Sequence, residues 1–280
     1  MDIITWVRAF FTARSLPIFI AISALGSESA YIVFLTLYYW LFDPDRARQL
    51  GMLLGVSYGV NTGLKTWVDA PRPFVDRPDL AFPEVTADID DASFPSGHAQ
   101  GAATFWVYLA RSYQRPWLWI VAVLLIAAIA LSRIYLGVHY FLDVLGGVLF
   151  GTLFAWIWER RPFPEVRDRS VKMAIVGFSF FLSIILPSLG RACGVFAAFF
   201  LTRPQFIPPQ TRIKQLLFAG VGLILIFGIY KGSQLLFDRL DLYPWLDYFR
   251  FLGLVLVATE LWPRLMLKIG QCSPISGDRP

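Results

Sequence analysis

Runs of roughly 20 consecutive apolar residues recur along this 280-residue chain, and no other feature restricts its fold so severely. A run of that length crosses the hydrocarbon core of a bilayer, where every backbone N–H and C=O must find its partner inside the protein. The runs are much longer than the alternating ten-residue strands of an outer-membrane barrel, so they read as helices. With 56% of residues hydrophobic, 16% charged and a mean hydropathy of +0.57, the composition excludes an ordinary soluble domain. The fold class is therefore all-α: a polytopic membrane helical bundle. Spans fall at 17–41, 50–70, 98–111, 117–136, 140–158, 171–188, 214–236 and 247–266, with 191–202 as a short ninth candidate. Residues 1–16 precede them as an interfacial segment. There Ile3, Trp6, Val7, Phe10 and Phe11 share one side of an amphipathic helix, and no cleavable signal peptide is evident.

Positive residues set the orientation. With the polar 71–97 loop outside, Arg46, Arg48, Arg111, Arg115, Arg160, Arg161, Arg167, Arg169 and Lys172 all fall inside as topology anchors. Counting 191–202 as a crossing also brings Arg203, Arg212, Lys214, Arg264 and Lys268 inside, which favours nine spans. The net charge of +5 is thus attributed to cytoplasmic loops, not to a nucleic-acid partner. Cys193 and Cys272 form no CxxC or Cys/His pattern, so neither a disulfide nor a zinc site is expected.

Three cations resist the anchor explanation, because Lys65, Arg72 and Arg133 sit near helix ends on the face assigned outside. Lys65 and Arg72 are seven apart, two helical turns, so both can face one point at the end of the second span, where Pro71 and Pro73 end the helix. Pro95, Ser96, Gly97 and His98 open the third span, where helix N-terminal amides, a glycine and a hydroxyl make a cradle for an anion. The fourth span ends in Ser132 and Arg133; the fifth opens with His139 and Asp143, four apart, so the carboxylate can hold one imidazole nitrogen and leave the other free. Helix alternation brings these ends to one membrane face, and the chain's two histidines both belong to the set. Arg and Lys in that arrangement suit the oxygens of a transferring phosphoryl group; no carboxylate cluster asks for a metal, and no cofactor is expected.

Lys65-x6-Arg72-Pro73, Pro95-Ser96-Gly97-His98 and Ser132-Arg133-x5-His139-x3-Asp143 together resemble the three-part signature of the type 2 phosphatidic acid phosphatase superfamily, matching at all eleven specified positions. That superfamily includes lipid phosphate, polyprenyl diphosphate and sphingosine-phosphate phosphatases, glucose-6-phosphatase and soluble vanadium haloperoxidases. The resemblance covers about 17–158 and implies that His139 is the nucleophile, forming a phosphohistidine, and that Asp143 orients it. It further implies that His98 protonates the leaving alkoxide and that Lys65, Arg72, Ser96, Gly97 and Arg133 bind the phosphoryl oxygens. Members commonly have six spans, so the division expected is a phosphatase core over 17–188 and an extension of two or three spans over 189–280.

The expected function is hydrolysis of a lipid phosphate or diphosphate of phosphatidate, sphingoid-base or polyprenyl type. The partners are that substrate and membrane lipids, in a bacterial inner membrane with the site on the extracytoplasmic face. A lipid transporter or binder that keeps the phosphate site is the reading from another class, and a soluble phosphomonoester is the rival substrate. Trp67, Phe74 and Phe94 are candidates to guide a lipid chain, or plain interfacial aromatics. Glu28 lies mid-span, with either a buried cation or a structural hydrogen bond as its partner; Lys231 and Glu260 either pair or approach the interface. Asp76, Asp79, Glu84, Asp88, Asp90 and Asp91 form a solvated acidic flap.

Overall fold

The computed structural model of the chain describes residues 3–87 and 89–274; the first two residues of the 1–16 segment and Asp88 of the acidic flap lie outside them. Fourteen helices follow in order among the described residues. They are α1 (Ile3–Phe10), α2 (Leu16–Ala24), α3 (Glu28–Leu41), α4 (Pro44–Val68), α5 (Pro73–Asp76), α6 (Pro83–Thr86), α7 (Gly97–Tyr113), α8 (Pro116–Tyr135), α9 (Phe141–Arg160), α10 (Arg169–Ile185), α11 (Gly190–Leu201), α12 (Arg212–Leu240), α13 (Asp247–Leu256) and α14 (Trp262–Lys268). One two-residue antiparallel pair, β1 (Phe206–Ile207) with β2 (Ser273–Pro274), is the sheet content, so the fold is all-α. By length and apolarity α8, α9 and α12 each suffice to cross a membrane, and α2 with α3 make a fourth, bent by 48°. The helix α4 has the length but carries Asp45, Arg46, Arg48 and Lys65, whereas α7 is 17 residues long and buries Gln100 and Thr104.

The bend refines the reading of Glu28. Residues 25–27 interrupt the 17–41 run, so Glu28 stands midway along the bent α2–α3 pair but in the first turn of α3, where the helix dipole favours a carboxylate. The segment 191–202 forms α11 with 12 residues, about 18 Å at 1.5 Å per residue. The last predicted span is helical from 247 to 268, with a π-helical turn over Val257–Leu261.

The chain divides into two compact units: Met1–Tyr31 with Ser57–Phe163, and Ile32–Val56 with Pro164–Pro280. Residues 164–188, grouped above with the phosphatase core, lie in the second. In that unit α11 packs against α10 and α13, and α12 against α13. Tyr39 and Trp40 donate to the π-turn carbonyls of Thr259 and Ala258. Glu260 pairs with Arg264 and accepts from the Arg203 amide, whereas Lys231 donates to Gln234, so the possible Lys231–Glu260 pair does not form.

All the motif residues lie in the first unit. Its centre is α7 against α9, with α8 beside α7 and both α1 and α2 against α8. Gly147 and Gly151 of α9 allow this approach: a Cβ at Gly151 would meet Gln100 O at 2.3 Å, and one at Gly147 would meet Ser96 O at 2.5 Å. From α4, Asn61 donates to Pro95 O and to Gln100 Oε1, while Gln100 donates to Ser57 O and Ser57 bonds Thr104. This buried polar network ties the last turns of α4 to the start of α7.

The amphipathic pattern expected of α1 is divided in fact. Ile3, Trp6 and Phe10 are exposed, whereas Val7 joins Ile4 in the core and Phe11 packs against the same cluster. Arg8 makes that docking specific by donating to Tyr135 O at 2.9 Å and Leu80 O at 2.7 Å, and by lying over the Phe82 ring. Gly137, at φ +72°, stands against this contact; a Cβ there would be 2.7 Å from Arg8 Nη2.

Candidate active site

Lys65 lies on the last turn of α4, which ends at Val68, three residues before Pro71. Asp69 takes a left-handed conformation (φ 46°) and Arg72 is extended, so Arg72 leaves the helix instead of standing two turns along it. The two cations nonetheless meet. Lys65 Nζ lies 2.9 Å from Asp91 Oδ2, Arg72 Nη2 binds Asp91 Oδ1, and Arg72 Nε donates to Asp91 O at 2.8 Å. Lys65 Nζ also donates to Ala92 O. Asp91 is therefore not merely part of a solvated flap, and neither is Asp76, which accepts from Tyr140 Oη at 2.7 Å. Burial pushes the Asp91 carboxyl up, but Lys65 and Arg72 together outweigh it and hold the group below the ordinary carboxyl range.

Arg72 also reaches the histidine. Its Nη1 donates to Val138 O at 2.8 Å and lies 3.3 Å from His139 Nε2. His139 precedes α9, so the same-face rule for residues four apart does not govern His139 and Asp143. Asp143 is the third residue of α9, and its Oδ2 accepts from the Tyr140 amide at 2.7 Å in a capping box. That oxygen is 3.6 Å from His139 Nδ1, too long for a hydrogen bond. Ser93 fills the gap: its Oγ donates to Asp143 Oδ2 at 2.5 Å and lies 3.3 Å from Nδ1. Ser93 has no spacing relation to the other motif positions and could not have been found by periodicity.

The cradle at the start of α7 is anchored by the Ser96 amide, which donates to Asp143 O at 2.9 Å. Ser96 is fully buried, yet its Oγ has no hydrogen-bond partner among the described residues. The same holds for Arg133 Nε, although Arg133 Nη1 donates to Ser23 Oγ. Buried polar groups are nearly always paired, so each of these two atoms is a candidate to bond a ligand. Gly97 follows Ser96 in the first turn of α7, with the side chain of Asn61 beside it. His98 packs beside Gly26. Lys65, Arg72, His139, Asp143 and the Ser96 amide thus come together, Lys65 with Arg72 through Asp91; Gly97 and His98 follow Ser96 on α7, and Arg133 O accepts from the Val138 amide beside His139. Ser93, Asp91 and Ser23 join them.

Of the aromatic candidates, Phe74 packs into the core cluster and Phe94 lies against Gly146, while Trp67 is 82% exposed. Arg111 pairs with Glu159 at 2.7 Å, and Arg160 stacks on Trp156.

The chain is similar to known proteins over this same region. The family model described as PAP2 superfamily matches residues 46–166. Sphingosine-1-phosphate phosphatase 2 of Mus musculus is 33% identical over 137 residues, 45% of this chain and 37% of that protein. The putative undecaprenyl-diphosphatase YbjG of Escherichia coli (strain K12) is 35% identical over 144 residues, 50% of this chain and 68% of that protein. The chain therefore spans little more than a third of the sphingosine-1-phosphate phosphatase and about two thirds of the bacterial protein. A crystal structure of a transmembrane phosphatidylglycerolphosphate phosphatase from Bacillus subtilis aligns with a TM-score of 0.48 at 25% identity, over 55% of this chain and 79% of that one. The family model spans the Lys65–Asp143 stretch in which these residues lie, the bacterial relative is covered over two thirds of its length at 35% identity, and the chain belongs to the PAP2 superfamily.

Proposed function

We propose that this protein is an integral membrane phosphatase that hydrolyses a lipid phosphate or lipid diphosphate through a phosphohistidine on His139. The observation that carries the reading is the pair of buried, unpartnered polar atoms, Ser96 Oγ and Arg133 Nε, on segments that flank His139. With Lys65, Arg72 and the first amides of α7, they supply donors to the three non-bridging oxygens of a phosphoryl group. His139 Nε2 faces Arg72 while Nδ1 is turned toward Ser93 and Asp143, so Nε2 is the attacking atom. In the first step the Nε2–P bond forms and the P–O ester bond breaks, and the leaving oxygen takes a proton from His98. In the second, water attacks phosphorus, the P–N bond breaks and His98 recovers the proton. The cations carry the charge that a metal would otherwise neutralise, so turnover is expected to persist in a chelator.

The named relatives are a sphingosine-1-phosphate phosphatase and a putative undecaprenyl-diphosphatase, and part of the motif lies on helices long and apolar enough to cross a membrane, which favours a substrate that arrives from the bilayer. The reading keeps the 71–97 loop and the site on the extracytoplasmic face of a bacterial inner membrane. Purified protein is expected to release phosphate from a panel of phosphatidate, sphingoid-base phosphate and polyprenyl phosphates and diphosphates. His139→Ala is expected to lose about a thousandfold or more. Equal release by both proteins removes the hydrolase reading, and faster release from sugar phosphates than from every lipid moves the substrate to a soluble monoester.

A further inference from the structure

Asp91 has no part in the three-part motif, yet it contacts both leading cations at once. Its two carboxylate oxygens are divided between Lys65 Nζ and Arg72 Nη2, the bridging arrangement that two oxygens of a phosphoryl group adopt between such partners. Arg72 is otherwise engaged by Asp91 O, Val138 O and His139 Nε2. A phosphoryl group that reaches these donors must therefore displace something. The backbone carbonyls are fixed by the fold and His139 is buried, but the Asp91 side chain is 52% exposed against 11% and 6% for its partners. It also borders a cavity of about 300 Å³ lined by Asp69, Phe74, Val75, Ile89 and Asp90, which gives the carboxylate somewhere to go.

Resting on the phosphatase reading, we propose that Asp91 is a built-in stand-in for substrate, and that binding exchanges its carboxylate for phosphoryl oxygens on Lys65 and Arg72. The two cations favour the ionised form of the carboxylate. A dianionic monoester or a diphosphate brings more charge than the single carboxylate it replaces, whereas a phosphodiester brings no more. Asp91 therefore acts as a specificity determinant that selects terminal phosphoryl groups over diester headgroups in a membrane full of them.

The test measures equilibrium binding of inorganic phosphate, and KM and kcat for a lipid monophosphate, in full-length protein carrying Asp91→Asn or Asp91→Ala. Removal of the competing charge is expected to tighten phosphate and to lower KM by about threefold or more, while Lys65→Ala weakens both. Inhibition by a dialkyl phosphate is expected to strengthen in the same two variants. Unchanged or weaker phosphate binding in both overturns the proposal and makes Asp91 a residue that positions the cations. Failure of both to fold where His139→Ala folds overturns it in favour of a scaffold role. If no form binds phosphate and His139→Ala releases as much as the wild type, the phosphatase reading itself has failed.

Discussion

Ser93 is a buried side chain that touches both His139 and Asp143, and it holds together a pair whose direct separation of 3.6 Å is too long to orient an imidazole. Removing it leaves a buried carboxylate short of one hydrogen bond, a loss of about 1.5–3 kcal/mol in orientation. Ser93→Ala is accordingly expected to lower kcat roughly tenfold to a hundredfold with little change in KM, read from steady-state kinetics. Acid acts on a different residue. The Asp91 carboxyl is held below its ordinary value of 3.8, so its ion pairs contribute in full above that value and are lost as pH falls through the lower folded one. Wild type and Asp91→Asn should therefore differ in stability by a constant amount above pH 3.8 and converge only in stronger acid, as thermal melts across pH would record. The motif residues were readable in the sequence because they stand at fixed intervals on helix ends. Ser93 and Asp91 were not, because they lie in a polar loop whose path no periodicity dictates, and Asp91 there looked like one more solvated carboxylate.

Helix packing turns those residues into a site. The start of α7 is held from one side by α9 through Gly147 and Gly151, and from the other by Asn61 of α4 through Pro95 O and Gln100. Gly151→Val would drive a side chain into Gln100 O and is expected to cost about 3 kcal/mol or more, seen as a lower melting temperature and loss of activity together. Asn61→Leu leaves Gln100 without one partner and is expected to cost about 1–3 kcal/mol. The existence and type of α4, α7, α8 and α9 were legible from apolar runs, with ends displaced by a few residues. What the runs concealed was the break at residues 25–27 and the π-turn at Val257–Leu261, since Gly26, Ser27 and Glu28 in one and Thr259 and Glu260 in the other are short polar interruptions inside long apolar stretches. The two faces of α1 were likewise hidden: Val7 and Trp6 look equally suited to lipid, and tertiary docking through Arg8 sends Val7 inward.

At the scale of the whole molecule, the orientation proposed above, which rests on charge asymmetry, has the loop after α4 facing away from the cytoplasm. Cys193 and Cys272 are both buried, so single cysteines can report this directly. Glu84→Cys, in that loop, is expected to react with a membrane-impermeant maleimide in intact bacteria, and Arg161→Cys only after permeabilisation; the reverse pattern inverts the orientation. The candidate site lies in the first unit, with the motif drawn from residues 65 to 143 and Ser23 added by the fold. Contributions from the second unit carry no such pattern, and its apolar helices read alike whatever they do. The chemistry itself is tested by trapping the covalent intermediate. Rapid quenching of a turnover with radiolabelled lipid phosphate should leave label on residue 139 that is stable in base and lost in acid, and His139→Ala should carry none; label on another residue, or turnover in the variant, would contradict a phosphohistidine at this position.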